Sequence, residues 1–377
     1  MIPAVKFPTS LLAVAVLLAG CGGQGSHAGP SPSARSSGSP GAPATPQASA
    51  SPASSPAVSP APLTGTFAVL ATAPSADAYT VSIVSSDGKI VGSAQPSSPT
   101  AVTCGDAAAA VLPPPISTSD DRAYYMDAQG VVRFLTTQGE TGRATTVPTG
   151  GGRRSMFSVS PDDQRIAVIV NDYTASGVSI KLYVEDLNGG TNRTDTYTQS
   201  GAYGLWPVGW HGSSNLILAK VPACATGGGP FASTPQEFHV VDSGTFVRRF
   251  TVGGPTCVIA GSPSPAGAVC ESTASLGATV LNWTGSAVRT FPIGSPPPRA
   301  YLSPSGSHVA LVTSNGTLIE DTRKDFAALA TCAWIDDTHV LAGGDVQHQP
   351  RIANVTTGVI VPVSAQGMCA GRLPGGL

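Results

Sequence analysis

From Leu63 onward, short runs of β-branched and apolar residues alternate with Gly, Asp, Asn and Ser. Tyr79-Thr80-Val81-Ser82-Ile83-Val84 runs into Ser86-Asp87-Gly88. Ile180-Lys181-Leu182-Tyr183-Val184 runs into Asn188-Gly189-Gly190. Asp-Gly and Asn-Gly between apolar runs signal hairpins, because tight hairpin turns need positive φ at their centre. No window of a dozen residues keeps a 3.6-residue apolar period, so the pattern predicts strands rather than amphipathic helices. One helix-prone patch, Ala107 to Ala110, is cut short by Pro113-Pro114-Pro115.

The strand pattern repeats. Phe157-Ser158-Val159-Ser160-Pro161-Asp162-Asp163-Gln164-Arg165-Ile166-Ala167-Val168-Ile169 predicts a strand, a tight turn and an apolar strand. Tyr301-Leu302-Ser303-Pro304-Ser305-Gly306-Ser307-His308-Val309-Ala310-Leu311-Val312 repeats it. Weaker copies lie at Ser119-Asp120-Asp121, Trp210-His211-Gly212, Ser264-Pro265-Ala266 and Ile335-Asp336-Asp337. The positions matching Pro161 are then 119, 161, 211, 265, 304 and 335, spaced around the ~40–45 residues of one four-stranded propeller blade. Each gap holds further strand signals, such as Phe238-His239-Val240-Val241 followed by Thr245-Phe246-Val247. A last turn, Leu373-Pro374-Gly375-Gly376, has nothing after it to complete a blade, whereas residues 66–95 offer three strands with no inner strand before them. The economical solution is an all-β propeller of seven four-stranded blades, closed by pairing of the N- and C-terminal strands. Degenerate copies leave six and eight blades open. Closure removes a free sheet edge.

The Ser-Pro-Asp-Asp-x-x-Ile-Ala turn resembles the TolB-like, WD-related propeller repeat, whose usual form is Ser-Pro-Asp-Gly followed by an apolar strand. The resemblance spans most of 65–377 and is specific at two copies. The turns at 119, 211 and 335 lack the Pro. It implies the architecture and not an activity, since propellers host many.

Composition agrees with a turn-rich β protein. Of 377 residues, 44 are Gly and 34 Pro, and only 11% are charged, which excludes a coiled coil and disfavours a helical bundle. Lys plus Arg (20) nearly balances Asp plus Glu (22). No polyanion-binding field is expected, and the four Trp are too scattered for a nucleic-acid stacking platform.

The first 20 residues read as a lipoprotein signal peptide. Lys6 is the positive n-region and Leu11 to Leu18 the apolar core, too short for a comfortable transmembrane helix. Leu18-Ala19-Gly20-Cys21 resembles the bacterial lipobox, which implies lipid attachment at Cys21 and an extracytoplasmic, membrane-anchored protein. After Cys21, residues 22–63 are almost entirely Ser, Pro, Ala and Gly, with one Arg (Arg35) and no Asp, Glu or aromatic residue. Such a segment buries too little apolar surface to offset its ordering entropy, and it is expected to be a disordered tether. The propeller domain is expected over 64–377.

Beyond Cys21, six cysteines remain: Cys104, Cys224, Cys257, Cys270, Cys332 and Cys369. In an oxidising compartment they are disulfide candidates. Cys257 and Cys270 flank one predicted hairpin. Cys369, in the closing strand, neighbours both Cys332 and the segment holding Cys104, so one bridge is expected to fasten the ring where its ends meet.

Catalytic chemistry is hard to find. There is no Gly-x-Ser-x-Gly elbow, and Gly150-Gly151-Gly152 and Gly227-Gly228-Gly229 lack the Lys-Ser/Thr of a P-loop. Arg153-Arg154 reads as a solvated pair in a surface loop. Asp336, Asp337, His339, Asp345 and His348 mix metal-ligand types at a spacing that matches no ligand motif, and Asp186 to Asn192 is a hairpin turn rather than a calcium loop. His239, His308 and His339 are expected inside strands. Trp210 and Trp334 are expected to pack between blades. No cofactor, metal or catalytic residue is assigned. The loop from Val221 to Glu237 is the best-placed recognition segment. The expectation is a membrane-tethered binding module for a protein or glycan. The alternatives are a propeller lyase or hydrolase with a polar site at the central channel, and an envelope assembly scaffold.

Overall fold

A computed structural model describes residues 63–377 except 74, 76, 104–108, 111–114, 175–176, 202, 223–234, 236, 273–276, 294–298 and 345–347. The expected leader, Cys21 and nearly all of the tether lie outside the described residues. So do Cys104, Cys224, Asp345 and most of the loop after Val221.

The repeats fold into seven four-stranded antiparallel sheets, each a simple meander, with no helix among the described residues. Blade 1 is the exception in connectivity. Its strands Phe67–Ala71, Val81–Ser85 and Ile90–Ala94 come from the start of the ring, and its first position is taken by Met368–Leu373 from the end. Phe67 lies opposite Leu373 and Ala71 opposite Met368, with a bulge between. The first strands of blades 2 to 7 are Ile116–Thr118, Arg153–Val159, Tyr203–His211, Cys257–Ile259, Arg299–Leu302 and Thr331–Trp334. A short ribbon, Val102–Thr103 with Ala109–Ala110, sits between blades 1 and 2 in sequence. Ala109 and Ala110, expected to be helix-prone, therefore pair as strand, because three prolines leave no room for a helix to propagate.

The core proves the closure. Buried apolar residues form seven clusters, and each joins two adjacent blades. One of them packs Ala68 and Leu70 of blade 1 against Ile335, Leu341 and Ile352 of blade 7. Val69, between Ala68 and Leu70, faces blade 2 instead. Alternate residues of a strand thus serve opposite neighbours, and both faces of each central strand are buried. That is why Ile166-Ala167-Val168-Ile169-Val170 is continuously apolar instead of alternating. Each fully buried Val, Leu or Ile contributes about 1.5–3 kcal/mol.

Two other expectations change. Thr245-Phe246-Val247 is a turn: the Asp242 carboxylate accepts the N–H groups of Gly244 and Thr245 and the Thr245 hydroxyl, and Phe246 adopts φ 58°. The last strand of blade 4 starts one residue later, at Arg248. His308 precedes its strand, where its Nδ1 lies 2.6 Å from the Asp321 carboxylate and its ring stacks on Trp334.

Candidate functional site

The turns between first and second strands lie together at one end of the ring. Their shared serine explains the repeat. In blade 3 the Ser160 hydroxyl accepts the Arg165 N–H at 2.9 Å and donates to Asp162 at 2.6 Å. Ser303 accepts the His308 N–H at 3.1 Å, and Ser119 accepts the Arg122 N–H at 3.2 Å. All three serines are buried. The motif is a turn-building device, in keeping with the tendency of Ser side chains to satisfy nearby backbone donors. Asp163 and Gly306 occupy the left-handed position of their turns, at φ 58° and 80°.

The tryptophans at the ends of first strands bind blade to blade, as expected. Trp210 Nε1 donates to the Ser158 carbonyl of blade 3 at 3.1 Å, and Trp334 Nε1 to the Tyr301 carbonyl of blade 6 at 2.9 Å. Cys332 and Cys369 are disulfide-bonded, joining the first strand of blade 7 to the ring-closing strand. Cys257 and Cys270 are bonded across paired strands of blade 5. The sequence left Cys332 and the Cys104 segment as rival neighbours of Cys369; the bond goes to Cys332.

At the hub, the first strands surround a cavity of about 730 Å³ that communicates with solvent. Every blade contributes, from Met368 in blade 1 to Ala333 in blade 7. Val208 is 37% and Met368 54% exposed there, and Trp206 and Ile116 are half-buried. Past Leu373 the chain turns under this cavity. The Gly375 N–H donates to the Ser119 carbonyl at 2.7 Å, and the Leu377 N–H to the Trp210 carbonyl at 2.7 Å. Gly376 passes over Pro161, and Leu377 packs on Gly209. Residues 374–377 thus cross the ends of blades 2, 3 and 4 and form a floor. Gly209 leaves room for this contact, since a Cβ there would come within 2.6 Å of the Leu377 side chain, which would have to shift.

None of the described residues lining the cavity is His, Asp or Glu, and Arg372 has the one charged side chain among them. Burial between blades 1 and 7 lowers its pKa, while Asp337 and Asp336 raise it through space. Nothing in the sequence distinguished Arg372. Its signal, a cation in the strand that closes the ring, becomes visible only when that strand is known to be innermost.

The other sequence candidates are structural. Asp336 accepts the N–H groups of Thr338 and His339 at 2.7 and 2.8 Å, and the Thr66 hydroxyl at 2.7 Å. Asp337 accepts the Ser305 N–H at 2.9 Å. His339 is held by Asp336 and Asn354. Asp186 closes its hairpin through Thr191 and Asn192. His239 lies beside Glu237, 2.8 Å away, and burial lowers its pKa. The pair Arg153-Arg154 is not uniformly solvated. Arg153 binds Asp172, but Arg154 is only 3% exposed and donates to the Thr100 carbonyl at 3.1 Å, because its strand position faces the interior between blades. The described ends of the Val221 to Glu237 loop, Val221 and Glu237, continue strands of blade 4.

No family model matches the chain, and no curated protein is similar to it. Among solved structures, it is similar to dihydro-heme d1 dehydrogenase NirN, at 13% identity over 85% of this chain and 77% of that one, TM-score 0.45. It is also similar to Sqt1 of Saccharomyces cerevisiae, at 11% identity over 80% and 87%, TM-score 0.41. A protein of unknown function from Bacteroides caccae gives 10% identity over 82% and 98%, TM-score 0.43. The seven-bladed ring itself rests on sheet order and interface clusters. Such a ring suggests a binding or interaction module.

Proposed function

We propose that this chain is a bacterial envelope lipoprotein whose propeller, of TolB-like kind, binds a protein or glycan partner at the outer face of a membrane. The observation that carries the binding reading is the hub. All seven blades converge on an apolar-walled cavity whose described lining holds no acid–base pair, and general acid–base catalysis needs positioned titratable groups. The lipid anchor rests on the sequence, where Lys6, the apolar core and Leu18-Ala19-Gly20-Cys21 stand in register. Acyl chains add about 0.8 kcal/mol per buried CH₂, so diacylated Cys21 would hold the chain firmly. Phe67 pairs with Leu373 at the end of the ring that carries the floor, and the Thr66 hydroxyl donates to Asp336 there. Two measurements test this. Cys21→Ser releases the protein from the membrane fraction; unchanged retention refutes the anchor. Crosslinking in intact cells captures one recurrent partner with the native chain; if nothing reproducible is captured, the partner reading fails.

A further inference from the structure

The hub cavity has a direction along its axis. Arg372 stands at the floor end of the closing strand. Met368, four residues earlier on that strand, stands roughly 13 Å away at ~3.3 Å per residue. Its backbone pairs with Ala68, but among the described residues the Arg372 guanidinium makes no hydrogen bond or ion pair. The nearby Asp336 and Asp337 act on it only through space, and both already accept hydrogen bonds from Thr66, Thr338, His339 and Ser305. The side chain is half-buried beside the cavity, and a carboxylate pairs with a guanidinium best, through two parallel N–H···O bonds. The walls are apolar: Val208, Trp206 and Ile116, with Met368 at the end far from Arg372. Methionine is flexible and polarizable, and adapts to tails of different shape. The volume of about 730 Å³ falls within the ~300–1,000 Å³ of small-molecule sites.

We infer that the hub binds an amphipathic monocarboxylate, an apolar tail bearing one carboxylate, with its head on Arg372 at the floor and its tail along Val208, Trp206 and Met368. This rests on the reading of the hub as a binding site and is independent of the anchor at Cys21. Polarity dictates the orientation. A tail-first ligand would strand its carboxylate among apolar side chains and leave Arg372 unpaired.

The test uses the full chain carrying Cys21→Ser, free of detergent, titrated calorimetrically with dodecanoate and, separately, with dodecanol. Dodecanoate is expected to bind at least tenfold more tightly than dodecanol. Arg372→Gln brings dodecanoate down to the level of dodecanol. Val208→Trp fills the wall and abolishes both. The proposal is overturned if neither probe binds, if the two bind alike, if Arg372→Gln leaves the preference intact, or if Val208→Trp leaves binding intact. Should Arg372→Gln fail to fold, Arg372→Lys keeps the charge and loses the fork. Dodecanoate is then expected to weaken severalfold, and undiminished binding overturns the proposal. Because Cys21→Ser is present throughout, a failure at the hub is distinct from a failure of the anchor, which fractionation reads.

Discussion

Replacing Asp163 with Asn isolates the work of one carboxylate at the blade 2–blade 3 boundary. Asp163 accepts the Tyr124 hydroxyl at 2.8 Å, and Arg122 lies 3.6 Å away, itself 3.6 Å from Asp121. Burial, reinforced by the neighbouring Asp121, pushes the Asp163 carboxyl up to about 6 from its ordinary 3.8, against hydrogen bonds from Ser119 and Tyr124 that favour the charged form. A shift of about two units corresponds to about 3 kcal/mol once the carboxylate is fully charged. The side chain is 17% exposed, and water at the rim reduces this to an expected 1–2 kcal/mol. The sign follows from proton binding. Between about pH 4 and 6 the folded carboxyl holds a proton that the unfolded one has released, so this group's contribution falls as pH rises through that window and levels off above it. Asn tolerates the left-handed backbone, keeps an acceptor for Tyr124 and cannot ionise. Arg122 keeps Asp121. Asp163→Asn should therefore match the native chain near pH 4 and exceed it by about 1–2 kcal/mol at pH 7.5. Urea unfolding followed by tryptophan fluorescence at pH 4, 5, 6 and 7.5, with disulfides intact, measures this difference. A difference that does not change with pH, or an Asn variant weaker at pH 7.5, refutes the reasoning.

The two disulfides predict different losses. Cys332–Cys369 spans 37 residues and Cys257–Cys270 spans 13, which in the chain-entropy treatment correspond to about 4 and about 3 kcal/mol. Double Ser variants in urea read those values. Only the first should also speed hydrogen exchange in Phe67–Ala71 and Met368–Leu373, and equal exchange in both variants would contradict its role as the clasp. Trp334→Phe removes the bond to the buried Tyr301 carbonyl, and a loss of about 1–3 kcal/mol is expected; an unchanged urea midpoint would show that bond to be idle.

The ring was legible in the sequence because its turns are chemically marked. Ser160-Pro161-Asp162 and Ser303-Pro304-Ser305 announce where a first strand hands over to a second, and counting them placed the unpaired end of the chain opposite the incomplete first blade. Strand edges were less legible. Thr245-Phe246-Val247 has strand composition, yet Asp242 folds its own backbone back and converts the run into a turn. The site was least legible. Side-chain direction in the closing strand depends on the bulge opposite Val69 and Leu70. The floor depends on backbone bonds from Gly375 and Leu377 to Ser119 and Trp210. Backbone carbonyls carry no signature in residue type. Arg154 was misjudged for a related reason: a run of two arginines looks solvated until strand alternation turns one of them inward.

The strand that closes the ring also supplies the hub. Met368 and Arg372 lie on it, and Leu377 follows within five residues of Arg372. None of the three reaches its place until the strand has paired with Phe67–Ala71, so a cavity with its charge and floor exists only in the closed ring. A ligand held on Arg372 then binds the closed state alone. By mass action it stabilises closure, by about 2.7 kcal/mol at a hundredfold excess over its dissociation constant. That coupling acts at the same seam as the Cys332–Cys369 bond, one by binding and the other covalently. The position that a propeller most needs to secure, the junction of its first and last strands, is thereby also the position that would report occupancy of the hub.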